Sequence, residues 1–482
     1  MSKRDINQNA FFNTVKTIFG IIFPLITFPY ISRILGAKNV GRISFASSIV
    51  NYVSLIASLG ITTYAVRECS KVREDKEKLQ SVSSEIFTIN IISTIVAYIF
   101  MLIVLNSAKS LTEYRMIILI QSITVLFTTL GADWLNTTFE DFKFIAIRTI
   151  MVQFMSLVAM FIFVKNDTDY IRYATLLTLA SSGANAINIF YREKKCKIRL
   201  TRKMNIKRHM CPILLLFSMT LSQTIYVNSD ITLLGIIRGD FEVGLYSTSV
   251  KLYNLVNSVI ASVAWVVMPQ ISSYYSKKDY VNINRMLKYA LNYIIILGVP
   301  CFVGVNVIAP QLVETIAGKD YLGAATSLRI LSFALAFSLI GGFIGNIIML
   351  PSGREKICLK ACIISSVVNF VTNCVLIPKW GLNAAAFTTA LAEFVGLAIV
   401  SLNIEKEIKF DNIKEIIRAP VIGGSIILLY LVIIKQIITN AYALTFIAIL
   451  GSFIIYLTVF SVMKNLFFVD IFKSIVKKNK EE

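Results

Sequence analysis

The chain predicts an all-α, polytopic membrane protein of about 14 transmembrane helices, and three observations carry that expectation. Its mean hydropathy is +0.70. Hydrophobic residues make up 56% of 482 positions, more than a water-soluble domain can hide, so the bilayer is the solvent. The 48 Lys and Arg residues fall mainly between alternate pairs of apolar stretches, which marks a fixed orientation across a membrane.

The apolar runs lie at roughly 11–31, 43–64, 84–105, 115–134, 144–164, 172–190, 211–236, 244–269, 288–309, 323–350, 357–377, 382–403, 416–435 and 441–463. Each has about the ~20 residues that cross a hydrocarbon core. With the N-terminus in the cytoplasm, inside segments hold 34 basic residues and outside loops 11. An even number of spans then leaves both termini inside. The net charge of +20 is mostly this asymmetry. A pI near 9.6 in a soluble protein would suggest nucleic acid, but these charges flank spans and no basic domain stands apart, so no nucleic-acid partner is expected. The head with Lys3 and Arg4 leads into a long apolar run without a small-residue cleavage site, and reads as the first span. Seven cysteines without a CxxC pair indicate neither a disulfide framework nor zinc. A single histidine, His209, excludes a His-box iron enzyme or a zincin, and reads as an ordinary polar residue ahead of span seven.

Residues 191–210 carry nine basic residues and form a cytoplasmic linker. It separates an N-lobe (1–190, spans one to six) from a C-lobe (211–403, spans seven to twelve). Residues 404–482 hold spans thirteen and fourteen and a cytoplasmic tail. The linker's charge suits an anchor beside anionic lipid headgroups. The segment 67–82 mixes both signs and reads as a short surface helix. A weak repeat supports the two lobes: Leu35-Gly36, Val40-Gly41, Ser44 and Asn51 recur as Leu234-Gly235, Val243-Gly244, Ser247 and Asn254 with a four-residue insertion. Six spans separate the copies, so the repeats are parallel. No outside loop exceeds about a dozen residues, which leaves no folded outer domain to hold a catalytic site.

Gly36-x4-Gly41-Arg42 has the glycine spacing of a phosphate loop but lacks its Lys and Ser or Thr, and falls in an expected outer loop. ATP hydrolysis is therefore not expected, and no cofactor is, beyond a coupling Na+ or H+. Three basic residues remain inside spans: Lys16, Lys251 and Arg329. A cation at a helix centre costs about 2.5–3.5 kcal/mol, so it tends to face a bundle interior or a water-filled cavity. Lys251, about seven residues into span eight, lies roughly 10 Å deep and is the strongest cavity candidate. Lys16 and Arg329 lie nearer span ends and can face a cavity or snorkel. Among acids, Glu393 is central in span twelve and Asp230 lies in the outer part of span seven. Both are candidates for protonation or cation binding, with Asn369, Asn373 and Thr388 as further oxygen ligands or as ordinary interhelical hydrogen-bond partners. Pro24 and Pro29 break the ladder of span one twice and mark a hinge or a static kink. Pro269, Pro300, Pro310 and Pro351 mostly mark span ends.

The run from Phe23 to Gly36 (FPLITFPYISRILG), Gly41 with Phe45-Ala46-Ser47-Ser48, and Ser58-Leu59-Gly60-Ile61 leading to Ala65, Arg67 and Glu68 closely resemble Wzx-type polysaccharide flippases of the multidrug/oligosaccharidyl-lipid/polysaccharide exporter superfamily. So do Asp133-Trp134 with Glu140, Asp230 with Gly235 leading to Val243-Gly244-Leu245-Tyr246, and Ile377-Pro378 with Gly381. The resemblance implies a fold of twelve to fourteen helices with two six-helix lobes around a central cavity and alternating access; spans thirteen and fourteen fall outside the repeat as an appendage. It implies a substrate as well: an oligosaccharide on undecaprenyl pyrophosphate, moved from the cytoplasmic to the outer leaflet of a bacterial plasma membrane for surface polysaccharide synthesis, with polymerase machinery as a partner. Lys16, Lys251 and Arg329 would face the pyrophosphate, with Asn51 and Asn254 beside them as cavity residues. Asp230 with the oxygens of spans eleven and twelve would be the coupling-cation place. Ser48, the counterpart of Lys251, leaves the first-lobe wall less cationic. The chain reads as a transporter and not an enzyme. A multidrug exporter of the same superfamily and a lipid II flippase are the alternatives.

Overall fold

The computed structural model describes residues 3–202, 205–405, 407–408 and 413–463; the tail beyond 463, expected in the cytoplasm, lies outside these. Among the described residues all regular structure is helical. In chain order the helices are α1 (Lys3–Ser58), α2 (Ile61–Lys71), α3 (Lys76–Ser107), α4 (Arg115–Gly131), α5 (Trp134–Thr138), α6 (Phe142–Phe163), α7 (Tyr170–Lys195) and α8 (Ile206–Arg238). They continue with α9 (Asp240–Ala261), α10 (Val263–Ser276), α11 (Tyr280–Ala317), α12 (Ala324–Gly342), α13 (Glu355–Ser401), α14 (Ile413–Ile437) and α15 (Ala441–Val462).

Among the described residues ten helical stretches are long and apolar enough to cross a membrane. Two of them each contain two expected spans: α1 breaks at Gly36 (φ 70°, ψ 170°) and α13 at Gly381 (φ 55°, ψ −133°). At both positions a side chain would be strained, so glycine sets where one span ends and the next begins. Adding α7 and α9, whose polar residues dilute their hydropathy, recovers the fourteen spans read from the sequence. The expected outer loop around Gly41 does not exist as a loop, because the chain is helical again from Ala37.

Other expectations shift for identifiable reasons. The surface helix lies earlier than residues 67–82: α2 runs over Ile61–Lys71 and buries Ile61, Tyr64, Ala65 and Cys69, a helical-period stripe. Span eight ends at Ala261 and a separate α10 follows. Pro269, Pro300 and Pro310 lie inside helices, and α11 accommodates the last with a non-helical residue at Ile308 (φ −107°, ψ 19°). Pro24 and Pro29 lie within α1, whose single non-helical residue is Gly36. Several helix starts are capped by side chains: Asp75 accepts from Lys78 N at 3.1 Å, Asn205 from Arg208 N at 3.3 Å and Asn440 from Tyr442 N at 2.9 Å, satisfying amides that no helical carbonyl reaches. Asp279 caps α11, and hydrogen bonds from the Asn282 side chain and backbone hold its carboxyl below the usual range,.

The chain forms two compact units, residues 1–244 and 245–482. Compactness and pseudo-symmetry are different properties, so the two-lobe division at the basic linker stands as a proposal. The first unit has a core of α2, α3, α5 and the start of α8, with Ile61, Tyr64, Ile86, Leu135 and Ile213 almost wholly buried. The second has one core around Ile271, Leu287, Leu339 and Ile347, and another where α14 and α15 pack on α11 through Ile308, Ile427, Leu431 and Ala448. Exposed apolar residues run in stripes, such as Ile95, Ile99 and Ile103 on α3 and Met151, Met155 and Ile162 on α6, which suit lipid contact in a span.

Candidate functional site

In the first unit a polar seam joins the distal half of α1 to α8. Asn51 Nδ2 donates to Asn228 Oδ1 at 2.8 Å, and the Thr232 hydroxyl bonds to Ser48 Oγ at 2.9 Å and to Tyr52 at 3.4 Å. Asp230 is buried near Tyr52 and is itself engaged. The seam brings together two sequence candidates, Asn51 and Asp230, on facing helices. Ser48, treated from the sequence as part of a cavity wall, is 1% exposed and belongs to the helix contact. Its hydroxyl donates back to the Phe45 carbonyl at 2.7 Å. Lys16 lies half-buried in the first half of α1.

The repeat has a structural counterpart here. A methyl group at Gly41 would collide with the Asp240 carbonyl and the Gly244 amide, and one at Gly244 with the Ala37 carbonyl. The two Val-Gly pairs noted in the sequence therefore meet at one backbone crossing where only hydrogen fits. Arg42 reinforces it, reaching Asp240 Oδ2 at 2.9 Å and Glu113 Oε2 at 3.0 Å, while Tyr114 donates to Asp240 Oδ1 at 2.5 Å.

In the second unit Lys251 is half-buried on α9 and engaged. Two residues on, Tyr253 is within hydrogen-bonding reach of Glu393 on α13 and Ser338 on α12. Asn254 is exposed. Asn369, Asn373 and Thr388 are fully buried and serve one another: Asn373 Nδ2 donates to Asn369 Oδ1 at 3.1 Å, and the Thr388 hydroxyl donates to Asn373 Oδ1. This clasp ties the two halves of α13 across Gly381. Each of the two carboxamide oxygens accepts one of these bonds.

Arg329 has a specific task. Pro310 has no N–H to give the carbonyl four residues back, which is that of Asn306. Arg329 Nε donates to that carbonyl at 3.0 Å. Asn306 in turn donates to Ser332 Oγ at 2.7 Å, and Ser332 donates to the Arg329 carbonyl at 2.6 Å. This nitrogen of Arg329 is thus committed to the α11 break.

Two features escaped the sequence reading. Arg148 lies inside α6 and is 4% exposed, so the three intramembrane cations are joined by a fourth. It pairs with Asp133 and donates to the Ala184 carbonyl at 3.2 Å. Its place near the start of the 144–164 run makes it look, in the sequence, like a charge of the preceding loop. His209 is also more than an ordinary polar residue: it is 1% exposed, with Nδ1 2.8 Å from the Tyr64 hydroxyl and Nε2 3.2 Å from Glu85 Oε2. This relay fastens α2 and α3 to the start of α8. Its only sequence signal was a lone histidine, which does not reveal its partners.

A model of the family described as "polysaccharide biosynthesis protein" matches residues 6–275. A putative O-antigen transporter from Shigella dysenteriae is 23% identical over 73% of this chain and 87% of its own length. The capsular polysaccharide biosynthesis protein CapF from Staphylococcus aureus is 24% identical over 81% of this chain and 97% of its own. Among solved structures, the lipid II flippase MurJ in an inward closed conformation superposes with a TM-score of 0.75 at 17% identity, covering 95% of this chain and 99% of that one, a likeness of fold. With the family match extending over more than half its length, this chain belongs to the polysaccharide biosynthesis protein family.

Proposed function

We propose that the protein is a flippase. It carries an oligosaccharide on a polyprenyl pyrophosphate from the cytoplasmic to the outer leaflet of a bacterial plasma membrane by alternating access, for surface polysaccharide synthesis. The family match over residues 6–275 carries this reading. The O-antigen transporter and CapF among its relatives and the MurJ-like fold support it. The chemistry is compatible: a pyrophosphate crossing hydrocarbon needs cations in the path, and Lys251 supplies one, half-buried in a span. Lys16, Asn51, Asn254 and the remaining donors of Arg329 are the other proposed contacts. Asp230 and Glu393 are the carboxylates proposed to take up a coupling Na+ or H+. Both termini are placed in the cytoplasm by the charge asymmetry, and polymerase machinery would receive the product on the outer face. Transport, not bond making, is the activity.

The test is translocation of a labelled undecaprenyl-pyrophosphate oligosaccharide in proteoliposomes under an imposed membrane potential. Wild type should flip it and folded Lys251→Ala should not. Flipping that survives in the variant moves the pyrophosphate contact elsewhere. Export of an organic cation with no flipping of several glycans would refute the reading in favour of a multidrug exporter.

A further inference from the structure

The first unit holds a half-open cavity of about 240 Å³, walled by α1 to α5 and α7, that the α1–α8 seam does not use. Its wall mixes polar and apolar side chains and is uncharged overall. Asp133 is the ionisable residue lining it, and Arg148, behind the wall on α6, neutralises that carboxylate. A cation would meet an already compensated acid, and an anion would meet a carboxylate. A neutral ligand is what this wall accommodates.

The hydrogen-bonding groups are fixed in place. Asn90 donates to the Ala57 carbonyl at 2.9 Å and Asn185 to the Thr128 hydroxyl at 3.3 Å. Each amide is thereby oriented, with its Oδ1 left to accept. Trp134 lines the cavity, and so do the hydroxyl-bearing side chains of Ser54 and Thr62. Asn136 and Asn188, both fully buried, brace the wall: Asn136 Nδ2 donates to Asn188 Oδ1 at 2.6 Å, and Asn188 Nδ2 to the Gly131 carbonyl at 2.7 Å. Locked support of this kind preorganises a binding site.

A ligand that fits must offer acceptors to the Ser54 and Thr62 hydroxyls and donors to the Asn and Asp oxygens, without charge. Hydroxyl groups do both. The volume lies below the ~300–1,000 Å³ of drug-sized pockets and equals roughly eight waters at ~30 Å³ each, which suits one ring and not a chain. We infer that this cavity is a binding site for a single neutral sugar ring. The inference deepens the flippase reading and rests on it for the source of that sugar, one residue of the carried glycan.

The experiment uses full-length protein in lipid nanodiscs and a panel of glucose, galactose, N-acetylglucosamine and N-acetylgalactosamine, read by saturation-transfer NMR. Affinity is expected near the millimolar range. Wild type should transfer saturation to at least one sugar. Thr62→Phe, at an exposed lining position, should fill the cavity and abolish the transfer, and Asn185→Leu should reduce it at least fivefold, both with unchanged melting temperature. Transfer to no sugar, or equal transfer in wild type and a folded Thr62→Phe, overturns the site. Should Asn185→Leu fail to fold, Thr62→Phe alone decides. The flipping assay separates the two readings: flipping without sugar transfer removes this site and leaves the flippase, whereas cavity-dependent transfer without flipping keeps the site and removes the flippase.

Discussion

The bond between Arg329 and the carbonyl freed by Pro310 lends itself to a double-mutant cycle. Arg329→Met removes the donor and leaves the Asn306 carbonyl unmet, at a cost of about 1–3 kcal/mol. The same change withdraws a cation from a span, which is favourable by at most the helix-centre value of about 2.5–3.5 kcal/mol on insertion scales. The two effects largely offset, so the single variant should sit within about 1–2 kcal/mol of wild type. Pro310→Ala restores an N–H that can close the helical bond to Asn306. In that background Arg329→Met leaves nothing orphaned, and only the favourable withdrawal remains. The difference between the two effects of Arg329→Met should therefore be about 1–3 kcal/mol, clear of the ~0.3–0.5 kcal/mol within which independent sites add. Equilibrium unfolding in mixed detergent micelles measures it, and flipping is read on the same four proteins. Coupling below about 0.5 kcal/mol would refute the assignment of Arg329 to the helix break. Flipping lost in both Arg329→Met backgrounds despite normal stability would place its remaining donors on the substrate.

Three further outcomes are expected. Gly244→Ala should collapse the yield of folded protein, because the Ala37 carbonyl it would strike is backbone and cannot move aside, whereas Gly20→Ala on α1, with open space around it, should leave the yield unchanged; equal yields in detergent chromatography would contradict the crossing. Thr388→Val should destabilise by about 0.6–1.7 kcal/mol, the range for interhelical hydrogen bonds in membranes, as read by unfolding in mixed micelles. A Na+ dependence of flipping retained by that variant would show that the clasp is structural. His209→Ala should release α2 from α3 and α8, raising hydrogen exchange over residues 61–71 at least tenfold while exchange in α15 stays constant; unaltered exchange in α2 would remove the relay from its support.

The limits of the sequence reading follow from the reach of each signal. Span number and order were legible because burial in lipid forces every crossing to be a continuous apolar helix, and α7 and α9 were recognised despite the polar residues that lower their hydropathy. Helix ends were less legible. Pro269, Pro300 and Pro310 marked boundaries in the sequence, yet all three lie inside helices, because neighbours can satisfy the carbonyl a proline frees, as Arg329 does. Among site candidates, Asn51 was marked by the repeat and the resemblance and Asp230 by being polar in a span, and the two helices of the α1–α8 seam carry them. The same criterion could not tell that Asn369, Asn373 and Thr388 serve one another. Arg148 was missed since a charge one turn into an apolar run looks like a charge beside it.

By itself the sequence determined the class of solvent, the fourteen crossings, their alternation of charge and the family, since these depend on composition and on residues adjacent along the chain. The tertiary structure alone decided which polar groups are spent on each other and which remain for a ligand. Hydrogen bonds such as Arg329 to Asn306, Tyr64 to His209 and Asn51 to Asn228 join residues 23 to 177 positions apart. They form over about 3 Å, a distance set by helix packing that no local pattern records.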